Sequence, residues 1–111
     1  MAIKINEVDV LQKYIDGVVA RADHHAQEVK EILFPLIGVI IWKKSGTIEV
    51  LEKNGKIGNV LWVNIGDKRY AFSYNHEDSK IEMRKNIKGE VLHSFDNNTG
   101  IDEIVKKLEA L

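Results

Sequence analysis

The sequence predicts an α+β fold: a long N-terminal helix, an antiparallel meander of about six strands and a short C-terminal helix. Three observations predict it. Apolar residues recur at alternating three- and four-residue steps before Pro35, two-residue turn signals punctuate the middle, and helical spacing returns near the end. A chain of 111 residues with 44% hydrophobic and 30% charged content suits a single domain over residues 1–111.

In the first segment Val8, Leu11, Ile15, Val18, Ala22, His25, Val29 and Ile32 fall on one helical stripe. Asn6 suits an N-cap and Asp9 the first turn, while Pro35 marks the stop, because a residue before proline avoids the helical region. A helix over residues 7–34 at ~1.5 Å per residue is roughly 40 Å long, against a diameter of about 26 Å for a compact chain of this size. It therefore breaks, with Gly17 and Asp23-His24 as the weak points, or it protrudes and takes a partner chain.

In the middle, Ser45-Gly46, Asn54-Gly55 and Gly66-Asp67 read as hairpin turns, whose primed geometry needs positive φ and selects Gly and Asn. Counting outward from them pairs Ile41 with Val50, Ile48 with Leu61, Glu52 with Ile57, Val63 with Tyr70 and Leu61 with Phe72. Val39, Ile41, Ile48, Val50, Ile57, Leu61, Val63, Ile65, Tyr70, Phe72 and Tyr74 then share one face. The opposite face receives Ile40, Trp42, Thr47, Glu49, Leu51, Val60, Trp62 and Ala71, with the two tryptophans diagonal to each other. Both tryptophans of the chain on a half-solvated sheet face predict that something covers it: the C-terminal helix, a second subunit or a ligand. After Tyr74, a polar loop from Asn75 to Lys80 leads to Ile81 and Met83, and a strand from Glu90 to Phe95 sets His93 opposite Glu82 or Arg84. Ile101, Ile104, Val105, Leu108 and Leu111 form the last amphipathic helix, for which Thr99 and Asp102 resemble a capping box.

No catalytic or cofactor motif is present, so the cofactor expectation is none. The absence of cysteine excludes disulfides, thiolate metal sites and a cysteine nucleophile. His24 and Glu28 stand at i and i+4, but two ligands do not make a metal site. Asp96, Asn98, Gly100 and Asp102 imitate the start of a calcium loop, then Ile101 stands where the glycine belongs and Lys107 where the glutamate belongs. The formal net charge is −1, with acidic ends and a mildly basic middle in which Glu49, Glu52 and Glu82 interrupt the lysines, a pattern that argues against nucleic acid. The longest apolar stretch, Leu36 to Trp42, is far below the roughly 20 residues that span a bilayer, and no leader opens the chain, so a cytoplasmic protein without membrane contact is expected.

The leading expectation is a non-catalytic binding module that self-associates, most simply as a dimer, and holds a small apolar or aromatic ligand. Its contact residues would be Trp42, Trp62, Glu49, Thr47, Ile40 and Val60, with an inner pocket of His25, Tyr70 and Tyr74. The alternatives are an antitoxin- or immunity-like protein that binds another protein through the same face, and a small enzyme with His25 as general base. From its opening Ile5-Asn6-Glu7-Val8 through the hairpins to Lys106-Lys107-Leu108, the chain resembles the small single-domain proteins of bacterial integron gene cassettes. That resemblance implies a bacterial cytosolic accessory protein that forms homo-oligomers, and it transfers no functional residue.

Overall fold

The computed structural model describes residues 8–24, 29–53, 56–75, 77–85 and 89–111, and of these gives the backbone alone at 21, 23–24, 52–53 and 56–59. The N-terminal stripe forms two helices rather than one over residues 7–34. Helix α1 spans Val8–His24 and helix α2 spans Lys30–Lys43. Val29, at φ −133°, stands outside the helical region at the entry to α2. The interruption resolves the excess length in favour of a break. Asn6 and His25 lie outside the described residues.

The larger correction concerns residues 36–43. They are helical, not the first strand that a hairpin at Ser45-Gly46 requires. Pro35 lies inside α2, only a turn and a half from its start, where the missing N–H removes a single early helical bond. Leu33, Leu36, Ile37, Val39 and Ile40 are all buried by the helical course, and that burial outweighs the β preference of the branched side chains.

The sheet has five strands rather than about six: β1 (Ser45–Lys53), β2 (Lys56–Ile65), β3 (Lys68–Asn75), β4 (Lys80–Arg84) and β5 (Val91–Phe95), antiparallel and in sequence order. Lys44 is extended at φ −63°, ψ 150°, so α2 runs into β1 without a loop. Ser45-Gly46 begins β1 instead of turning it. Gly46 keeps the positive φ, 73°, but spends it on an irregularity between the pairs Ser45/Asn64 and Ile48/Val63.

The hairpin at Gly66-Asp67 has the predicted register, with Val63 opposite Tyr70 and Leu61 opposite Phe72, and Gly66 at φ 64°. Residues 54 and 55 lie outside the described residues, while Lys53 pairs with Lys56 across them and Glu52 with Ile57. Further along that pair Ile48 meets Val63 and Val50 meets Leu61, two residues beyond the predicted partners. Because the slip is even, each side chain stays on its predicted side.

A single apolar cluster lies between the inner sheet face and all three helices. It joins Ile48, Leu61, Val63, Ile65, Tyr70, Phe72, Tyr74, Ile81, Met83 and Phe95 to Leu11, Tyr14 and Val18 of α1 and to the buried side of α2. Helix α3 (Ile101–Glu109) contributes Ile104 and Leu108 to the same cluster, so it lies with the other helices and not on the outer sheet face. The Tyr14 hydroxyl donates to the Phe72 carbonyl across 3.4 Å, tying α1 to β3.

Thr99 does not cap α3. Its hydroxyl accepts from the Asp96 N–H at 3.0 Å, closing the preceding turn, and Gly100 takes the N-cap position without a side-chain bond. His93 faces Met83, not Glu82 or Arg84, because an irregularity lies between Met83 and Arg84; this turns the imidazole to the core side beside Phe95.

Candidate functional site

The outer sheet face holds four of the predicted contact residues. Glu49 lies opposite Trp62, and Trp62 opposite Ala71. The Arg69 guanidinium lies 5.3 Å from the Trp62 ring centre and pairs with Glu49 at 3.4 Å, so the half-buried indole has a cation from its own sheet beside it. Thr47 falls in the β1 irregularity and is exposed, whereas Val60 is buried. Next along the face, Arg84 donates to the Ser73 hydroxyl and to Glu82, each at 3.2 Å. Among the described residues, no helix covers this side.

Trp42 and Ile40 do not belong to that face. Both are on α2, where Ile40 is wholly buried and Trp42 is 66% exposed. The two tryptophans therefore lie in different layers, because the shared face was counted through a strand that is helix. Tyr70 and Tyr74 point into the core and are buried. Loss of solvent raises the Tyr74 phenol above its ordinary value, and a hydrogen bond from Ser79 offsets part of the rise. His25, the third member of the expected inner pocket, lies outside the described residues, as do the side chains of His24 and Glu28.

The structure brings together a different set of residues. Between Lys30 and Lys43, α2 is apolar around its whole circumference, and a helix of that kind is ordinarily enclosed. One side of it is open. Phe34 is 51% exposed and Ile41 50%, and with Trp42 they follow one another at helical spacing around the exposed Gly38.

The remainder of α2 is held firmly. Asn97, from the turn before α3, accepts the Ile32 N–H at 3.1 Å, which supplies a cap that Val29 cannot. At the other end Lys43 pairs with Glu109 at 2.9 Å, and its ammonium sits 3.7 Å from the centre of the Trp42 ring. These two ties make α2 and α3 neighbours running in the same direction, and they place the open stripe on a fixed support.

Sequence reasoning missed Phe34 and Gly38 and put Ile41 on the inner sheet face. The signal was the length of the run: from Ile32 to Trp42 every residue is apolar, glycine or proline, longer than an ordinary strand.

The fold and this surface define a small two-layer α+β domain with one apolar helix face left open. Residues 11–105 match the family described as integron cassette protein VCH_CASS1 chain, and the chain belongs to that family. A comparison with curated proteins finds no match. No helix among the described residues is long and apolar enough to cross a membrane.

Proposed function

We propose that this cassette protein is a non-catalytic interaction module that self-associates, and that its working surface is the open side of α2. The observation that carries this is the pairing of Phe34, Ile41 and Trp42 exposure with a helix otherwise packed into the core. Large apolar side chains concentrated on one rigid element are what association surfaces present, and tryptophan is enriched among the residues that dominate their energetics. The Lys43 ammonium against the indole and the Lys43–Glu109 pair reduce the freedom Trp42 would otherwise lose on binding.

Sedimentation velocity of the pure protein across a wide concentration range tests the proposal. The expected result is a mass that rises with concentration in the native chain and stays monomeric in Trp42→Ser, whose melting temperature stays close to that of the dilute native chain because the indole faces solvent. A native chain that is monomeric at every concentration overturns self-association.

A further inference from the structure

We infer that two copies of the chain pair antiparallel through α2, crossing at Gly38, so that Phe34 of each copy packs on Trp42 of the other. This geometry rests on the self-association proposed above and specifies its partner and register. Gly38 is exposed, and a Cβ built on it would meet nothing within 4 Å, so bare backbone lies in the middle of the apolar stripe. Phe34 stands four residues before it and Trp42 four after. At ~1.5 Å rise per residue each ring is about 6 Å along the axis from the glycine, in opposite directions.

A twofold axis through Gly38 and perpendicular to the helix therefore carries the Phe34 position of one copy onto the Trp42 position of the other, which is the self-complementarity an isologous contact needs. The glycine lets the two backbones approach, and the aromatic rings on either side fill the space between them.

Helix dipoles, charge and area favour the same arrangement. A parallel pairing would set the basic Lys43–Lys44 end against its own copy. The antiparallel one brings that end, where Lys43 is already tied to Glu109, to the end carrying both Lys30 and Glu31, and it opposes the helix dipoles favourably. At ~150–250 Å² per aromatic side chain, Phe34 and Trp42 leave roughly 250 Å² uncovered in each copy. That is about a third of the ~800 Å² each partner gives to a standard interface, and it lies centrally, as the apolar core of an interface does.

The chain has no cysteine, so single cysteines report proximity cleanly. Gly38→Cys, Phe34→Cys and Trp42→Cys are each oxidised alone, then Phe34→Cys is oxidised in mixture with Trp42→Cys, and covalent dimers are read on a non-reducing gel. Gly38→Cys should cross-link to itself. Phe34→Cys and Trp42→Cys should do so poorly alone and well in the mixture, because like positions lie about 12 Å apart along the axis while a disulfide needs Cα atoms within ~7 Å.

Self-cross-linking of Phe34→Cys as strong as that of Gly38→Cys would mean parallel helices and overturn the inference. A native dimer with no cross-link at any of the three positions overturns it and leaves self-association standing through another surface. A native monomer that instead co-sediments with anionic phospholipid vesicles overturns both. As a second check, Gly38→Arg should weaken dimerisation at least tenfold while the fold is kept, since its side chain enters open space; an unchanged dimer counts against the inference.

Discussion

Gly38 and Gly46 are both exposed, yet they carry opposite constraints. Gly46 holds φ 73°, and an added Cβ would sit 3.0 Å from the Asn64 amide nitrogen, so alanine there combines a left-handed backbone with a close contact. Gly38 lies inside a helix with open space around its missing Cβ. Gly46→Ala should therefore cost about 1–3 kcal/mol, whereas Gly38→Ala should gain about 1 kcal/mol from helix propensity. Urea unfolding of dilute protein, where association does not contribute, measures both.

His93 is the other residue whose placement has a consequence. Burial beside Phe95 lowers its pKa below the ordinary 6.5, Lys107 lowers it further, and Glu103 opposes them. The folded chain thus resists a proton that the unfolded chain accepts. The His93 contribution to stability is complete above the unfolded value, and it is lost as pH falls from about 6.5 through the folded value. His93→Gln should flatten that part of the stability curve, leaving the slopes due to other histidines. The His93 imidazole resonances of the native chain should titrate below 6.5; titration at or above that value would contradict the burial.

Helix α2 shows most clearly what was legible and what was not. The β2–β3 hairpin could be read residue by residue, because Gly66-Asp67 is a local signal with one geometry and Leu61, Val63, Tyr70 and Phe72 alternate on both sides of it. The face assignment of β1 survived a wrong register because the displacement was two residues.

In α2 the local signals pointed the wrong way. Pro35 stood for a stop, Ile37, Val39, Ile40 and Ile41 have strand preference, and Ser45-Gly46 imitates a turn. The helix is decided instead by contacts distant in sequence: Ile104 and Leu108 of α3 in the shared core, and Asn97 on the Ile32 N–H. Since Val29 offers no side-chain cap, Asn97→Ala should cost about 1 kcal/mol, while Asn97→Asp should retain the acceptor and add a charge suited to a helix N-terminus. Equal losses from the two substitutions in thermal unfolding would mean that the bond to Ile32 does not hold the end of α2. The same dependence on remote contacts hid the candidate site, because Phe34, Gly38, Ile41 and Trp42 share a side only once residues 30–43 are helical.

At the scale of the whole molecule, all three helices contribute to one apolar layer on one sheet face, leaving two unlike surfaces. The outer sheet face is occupied by its own polar network of Arg69 with Glu49 and Arg84 with Glu82 and Ser73. The open side of α2 carries Phe34, Ile41 and Trp42, with Lys43 and its partner Glu109 at one end, and its apolar side chains are continuous with a helix that belongs to the core. A domain of this size draws its stability from a small difference between large terms, so covering that side in a dimer should add measurably to it. Association of folded chains stabilises by mass action, and the midpoint of thermal unfolding should rise with protein concentration. At concentrations about a hundredfold above the dissociation constant the gain is on the order of 2–3 kcal/mol, which for a domain of roughly 100 residues moves the midpoint by about 10 °C. Gly38→Arg should show the same midpoint at every concentration and unfold near the value of the dilute native chain. Scanning calorimetry over two decades of concentration makes the comparison, and a native midpoint that does not move would mean that α2 is left uncovered in the folded protein.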